Sequence, residues 1–220
     1  MKSSNTPLIS STYFLDYEHS SIQEFKKTHT DDNRTKKEQA IDLYYAVRDE
    51  IRYDPYTFSM EKEQFKASAV LAAGRAWCVP KSILYAACCR SIELPARLGF
   101  ADVKNHLSTE RMRKTMKTNV FHWHGYASVL IENHWVKATP AFNIELCDKF
   151  NLKPLEFDGT KDSLYHAFDT AGNKHMEYIH DRGEYDNFPF EELTKSCLEL
   201  YPNAKMEDAS FEDDVEAEVA

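Results

Sequence analysis

A chain of 220 residues with 42% hydrophobic content is long enough for one sizeable core, and its composition is that of an ordinary soluble globule. No apolar run approaches the roughly 20 residues needed to span a bilayer, and residues 1–7 lack the apolar centre of a signal peptide, so a cytoplasmic protein without membrane contact is the expectation. The net charge of −9 is local: seven acids between Glu207 and Ala220, with no Lys or Arg among them, leave only −2 on residues 1–206, which gives no support to nucleic-acid binding through bulk charge.

Residues 1–30 show no sustained periodicity, and Tyr13-Phe14-Leu15 reads as a short strand or a packing arm. After Asp31-Asp32-Asn33, a capping cluster, Ala40, Leu43, Tyr44, Val47 and Ile51 fall on one face of an amphipathic helix that ends before Asp54-Pro55. A short small-residue stretch, Ser68 to Gly74, leads into Gly74-Arg75-Ala76-Trp77-Cys78-Val79-Pro80-Lys81. The segment behind it, Ile83 to Ile92, is apolar and Ala-rich, so Cys78 stands at the start of a buried helix. Unpaired N–H groups and the partial positive charge of a helix start stabilise a thiolate and supply oxyanion donors, and Pro80 fits the first turn. A free cysteine in such a place is otherwise a small buried hydrophobe.

Leu94-Pro95 breaks that helix, and Ala96 to Phe100 reads as a strand. Lys104, Arg111, Arg113, Lys114 and Lys117 mark a basic stretch whose plain reading is a solvated loop. Val120 to Ile131, the turn Glu132-Asn133 and His134 to Thr139 then give an antiparallel hairpin. A period of two places Phe121, Trp123, Ala127, Val129 and Ile131 on one face of its first strand, and His122, His124, Tyr126 and Ser128 on the other. Phe157-Asp158-Gly159 reads as a turn and Phe190 to Leu200 as a last helix. Residues 1–206 are expected to form a single domain, with 207–220 a disordered acidic tail that has too few apolar groups to offset its ordering entropy. The five cysteines are an odd number, and Cys88-Cys89 are adjacent in one helix. Reduced thiols are therefore expected, with no disulfide framework and no zinc spacing.

Three blocks in order, Gly74 to Cys78, Ala86 to Arg97, and His124 to Leu130 leading to His134 through Thr139, resemble the transglutaminase-like superfamily of cysteine acyl-transfer proteins. The resemblance covers roughly residues 36–157. It implies an α+β fold, cysteine-protease-like, in which a nucleophile-bearing helix packs on an antiparallel β-sheet. It implies Cys78 as nucleophile and His124 as base, because Tyr126 and Trp135 stand where the family places an aromatic residue after the base and a Trp on the next strand; His122, on the same face, is the alternative base and fits this spacing less well. Trp77, His122 and Tyr126 would line the cleft. Where the family usually has the triad aspartate this chain has Thr139, a substitution that the tract Trp135 to Asn143 shares with a bacterial branch of the superfamily. The Thr139 hydroxyl can accept the imidazole N–H but brings no charge to an imidazolium, so Asn143 and Asp158 stand beside it as alternatives for the orienting third member; either is equally a turn residue.

The leading functional expectation is cysteine-dependent hydrolysis or acyl transfer at amide or peptide bonds, on a peptide or protein substrate and without a cofactor. Hydrolysis is preferred to cross-linking. An active pair is expected to have a Cys78 thiol of lowered pKa. The alternative is a catalytically impaired module that binds a peptide or protein in the cleft. A metal site from Cys78, His122 and His124 is the weakest reading, since no acidic or cysteine partner has a diagnostic spacing.

Overall fold

The computed structural model describes residues 6–105, 108–164, 171–172, 176–202 and 209–219. After the single turn α1 (Thr6–Ile9), Phe14 and Leu15 are buried as a packing arm and not as a strand: Phe14 O accepts the Ala67 N–H, and its ring meets Phe188 edge-on at 5.0 Å. Helix α2 (Ser20–His29), which no periodicity announced, turns Ile22 and Phe25 inward. The amphipathic helix α3 (Lys36–Glu50) starts later than the Asp31-Asp32-Asn33 cluster. Thr35 caps it, accepting the Glu38 N–H while the Glu38 carboxylate takes the Thr35 N–H at 2.8 Å. The cluster lacks a Glu or Gln three residues on, so it cannot form this reciprocal box.

The short β1 (Arg52–Tyr53) lies parallel to β2 (Arg75–Ala76), with α4 (Ala67–Ala73) between them in sequence. Gly74 closes α4 at φ +65°, a left-handed conformation that glycine adopts without strain. It turns the chain into α5 (Cys78–Ser91), buried from Cys78 through Arg90 and packed between α3, α4 and the sheet. Even its cations are sealed in by backbone oxygens. Lys81 Nζ donates to Arg48 O at 2.9 Å and to Ile51 O, and Arg90 donates to Ser10 O and Ala96 O.

The antiparallel sheet has the order β5-β4-β3-β6, from β3 (Ala96–Asn105), β4 (Val120–Ile131), β5 (His134–Ala138) and β6 (Met176–Tyr185). β3 runs five residues past Phe100, where the sequence reading stopped, because β6 pairs along its other edge. Glu132 and Asn133, both at positive φ, make the expected two-residue hairpin turn.

Two expectations are corrected outside the sheet. The basic stretch is not a solvated loop. Most of it forms α6 (Glu110–Met116), capped by Thr109, with Met112 buried. Beyond α7 (Ile144–Lys149) and the expected α8 (Phe190–Leu200), residues 211–219 of the acidic segment expected to be disordered form a packed helix, α9 (Phe211–Val219). Phe211 and Val215, four apart on one helix face, are both buried, and the Phe211 ring meets those of Tyr53 and Tyr56 edge-on at 6.1 and 5.3 Å. Its acids find partners elsewhere in the chain: Asp214 pairs with Arg111 at 2.7 Å, Glu216 with Lys149 at 2.6 Å and Glu218 with Arg113 at 3.6 Å. Local composition cannot reveal bases supplied by other elements. Among the described residues no helix is long and apolar enough to cross a membrane, and all five cysteines are free and buried.

Candidate active site

Cys78 opens α5 where that helix meets β4. An added Cβ on Gly125 would stand 3.0 Å from Val79 Cα, so the absent side chain is what lets the helix start approach the strand so closely. Burial pushes the Cys78 thiol up to about 11, although backbone N–H groups of Gly125, Val79 and Cys78 itself pull it down by hydrogen bonding to the sulfur. The expectation of a lowered thiol pKa is thus not met in the free protein, because removing the thiolate from water outweighs three amide donors. Burial raises the other thiols further, to about 12 for Cys89, Cys147 and Cys197.

A cavity open to solvent is lined by Cys78 together with Trp77, His122 and His124. Trp77, directly before α5, packs on Phe58 and Phe65 with ring centroids 5.1 and 6.0 Å away. The strict alternation expected for β4 fails beside the histidines. Between Ala101 and Val103 the register slips, so that Asp102 of β3 stands opposite both His122 and Trp123, and Trp123 takes φ +61°. This bulge resets the phase of the strand. Phe121, assigned to the opposite face, therefore lines the same cavity as His122 and His124.

Asp102 organises the bulge. Its carboxylate accepts the Trp123 N–H at 3.2 Å, lies 2.9 Å from His122 Nδ1, and takes the Arg182 guanidinium on both oxygens. Although burial pushes this carboxyl up, hydrogen bonds from Arg182, His122 and the Trp123 amide hold it below its ordinary value. Arg182 also lies over the Trp123 ring, 4.7 Å from its centroid, and Tyr201 OH accepts the His122 N–H at 2.7 Å. The sequence reading missed Asp102, Arg182 and Tyr201. The signal for Asp102 was a single carboxylate inside the apolar run Phe100-Ala101-Asp102-Val103; for Arg182 and Tyr201 there was none, since they belong to β6 and the end of α8.

The three candidates for an orienting third member fall in different places. Thr139 is buried just past β5, its N–H on Ser163 O and its carbonyl accepting from Tyr44 OH, and it does not line the cavity. Asn143 accepts the Tyr53 N–H at 3.0 Å and donates to Glu145 at 2.7 Å, lining a separate hollow with Arg52 and Phe211. It thereby holds the backbone of Tyr53, whose ring does line the Cys78 cavity. Asp158 is exposed in its turn, accepting from the Thr160 and Lys161 amides. An added Cβ on the next residue, Gly159, would meet Lys37 and Ile131, so the turn lies at the far end of β4 from His124. Tyr126 is also displaced from its expected place in the cleft: its ring lies over Gly99 of β3, where a Cβ would sit 2.1 Å away, and its hydroxyl accepts from Lys137 Nζ at 3.2 Å. Among the described residues no three His, Cys, Asp or Glu side chains are grouped to hold a metal ion.

A cysteine at the start of a helix on an antiparallel sheet, facing histidines of the adjoining strand, defines a class of α+β cysteine proteins. The model of the transglutaminase-like superfamily matches residues 23–140, more than half the chain, and the chain belongs to that superfamily. Among solved structures, it is similar to a candidate cysteine protease from Cytophaga hutchinsonii, with 9% identity and a TM-score of 0.49 over 84% of this chain and 55% of that one. It is also similar to a candidate protease from Parabacteroides distasonis ATCC 8503, with 13% identity and a TM-score of 0.38 over 62% of this chain and 26% of that one. The chain thus spans about half the length of the first and about a quarter of the second. No curated protein matches it.

Proposed function

We propose that this protein is a cysteine-dependent hydrolase or acyltransferase acting on amide or peptide bonds, with hydrolysis the main outcome. The observation that carries the reading is Cys78 at the start of α5, its sulfur on the Gly125 amide and its cavity shared with the adjacent His124 and with His122. The Cys78 sulfur attacks the carbonyl carbon, the thiol proton passes to imidazole, and the amine leaves with that proton as the C–N bond breaks. Water then releases the acyl group from sulfur. With a raised thiol pKa, proton transfer accompanies attack instead of preceding it. The amides of Cys78 and Val79 at the helix start, with that of Gly125, are the natural donors to the oxyanion.

The base is His124, beside the amide that bonds the sulfur. One observation favours His122 instead: Asp102 lies 2.9 Å from its Nδ1, the arrangement that fixes an imidazole tautomer and steadies its positive charge. A non-catalytic module that binds a peptide in the same cavity is the reading from another class, favoured by the protonated thiol.

Site-resolved alkylation against pH separates the three. Cys78 is expected to react ahead of Cys88, Cys89, Cys147 and Cys197, and His124→Ala to slow it at neutral pH by about tenfold or more, as removal of a general base does. A profile lost in His122→Ala and Asp102→Asn but kept in His124→Ala transfers the base to His122. Equal rates at all five cysteines in the folded protein remove the enzyme reading and leave the binding module.

A further inference from the structure

The described residues around the Cys78 cavity include no Lys, Arg, Asp or Glu. Besides Cys78, the two histidines and Asn105, the wall is apolar and aromatic, with Phe58 and Trp77 on one side and Met112, Met116 and Met176 brought by α6 and β6. Asp102, the nearest carboxylate on β3, is taken up by His122, Trp123 and Arg182 and offers nothing to an incoming charge. Among the described residues, a carboxylate or ammonium entering here would leave water without a Lys, Arg, Asp or Glu side chain to pair with. A bulky apolar group would gain burial, and the flexible thioethers of three methionines can close around different shapes.

Resting on the reading of Cys78 as nucleophile, we propose that this cavity is the acyl-side specificity pocket, and that it takes a large uncharged side chain, aromatic or branched aliphatic, on the residue whose carbonyl reacts. The pocket wall is held in place from outside. Arg111 and Arg113 of α6 are paired with Asp214 and Glu218 of α9, which fixes the helix that carries Met112 and Met116.

The probes are the chloromethyl ketones of N-acetylated Phe, Leu, Glu and Lys. In each labelling the Cys78 S–C bond forms, the C–Cl bond breaks with chloride leaving, and the thiol proton passes to imidazole or buffer. Rates at Cys78 are divided by the iodoacetamide rate of the same protein, so that thiol reactivity cancels. The Phe and Leu probes are expected to exceed the Glu and Lys probes by about tenfold or more, the discrimination an apolar pocket supplies. Met116→Glu should abolish the advantage of Phe over Lys, and the volume-conserving Met116→Leu should keep it. Equal ratios for all four probes, or a preference untouched by Met116→Glu, overturn the pocket. Faster labelling by the chloromethyl ketone of a straight eight-carbon chain than by the Phe probe overturns the assignment to an amino-acid side chain. Reversible binding to Cys78→Ser protein, followed by ligand-observed NMR, needs no thiol chemistry: N-acetylphenylalaninamide is expected to bind and the N-acetylglutamic acid amide not to. Apolar preference in that protein with an unreactive Cys78 in the parent sinks the enzyme reading and leaves the pocket, whereas a reactive Cys78 without the preference does the reverse.

Discussion

Helix α5 is buried along nearly its whole length, from Cys78 to Arg90, whereas α9 buries Phe211 and Val215 and turns its acids to a set of bases on α6, α7 and β1. Both helices stand near the same cavity, α5 by supplying Cys78 and α9 by pinning α6. Their stabilities have different origins. Apolar burial is indifferent to moderate salt, while pairs between exposed charges are worth a few tenths to about 1 kcal/mol each and are screened over about 10 Å at 0.1 M. One helix is therefore a fixture of the core and the other a strap that solution conditions can loosen.

The sharpest way to break the contrast is to damage α5. Leu84 is fully buried there, and Leu84→Ala should lower the unfolding free energy by about 2–5 kcal/mol in urea denaturation, the usual range for a large-to-small core change. A loss under about 1 kcal/mol would mean that the site collapses around the smaller side chain and that α5 is less tightly packed than described.

A change of pH should separate the helices at opposite ends of the scale. α5 carries Cys78 and Cys89, pushed by burial from an ordinary 9.0 to about 11 and about 12. Folded values above unfolded ones mean stability that is whole below pH 9 and declines as pH rises through about 11. On α9, Lys149 holds Glu212 below its ordinary 4.5, and Arg111 with Tyr56 holds Asp214 below 3.8. Depressed values give stability present above those ordinary values and lost as pH falls below them. Hydrogen exchange should accordingly show α9 opening first on acidification and the α5 region weakening on the alkaline side. Simultaneous opening of both helices in acid would show that the strap is not an independent unit.

The smallest expected effect is on α9 alone. Val215→Asp puts a charge where a fully buried apolar side chain sat, and should undock the strap while leaving the core helices folded by circular dichroism, with a stability loss of about 1–3 kcal/mol. Raising salt to 1 M in the parent should hasten exchange in residues 211–219 and leave residues 78–91 unchanged. Global unfolding of Val215→Asp would instead make the strap part of the core.

Where the chemistry of an element lies within its own residues, the sequence was readable. The apolar stripe of α3, the apolar run Ile83 to Cys89 of α5 behind Cys78, the hairpin with its Glu132-Asn133 turn and the limits of α8 all follow from periodicity and turn chemistry. Three ordered blocks, Gly74 to Cys78, Ala86 to Arg97, and His124 to Leu130 leading to His134 through Thr139, were enough to point to the superfamily. Tertiary structure decided whatever depends on a partner distant in sequence. Asp102 meets His122 only because β3 and β4 pair with one residue opposite two, and the same slip brings Phe121 into the cavity. The thiol of Cys78 is raised and not lowered because its exposure to water is set by the elements packed around it, and no local motif records that. Helix α9 forms because Arg111, Arg113 and Lys149 wait for it about 65 to 105 residues away, a complementarity of charge and apolar contact that composition, averaged over a window, cannot represent.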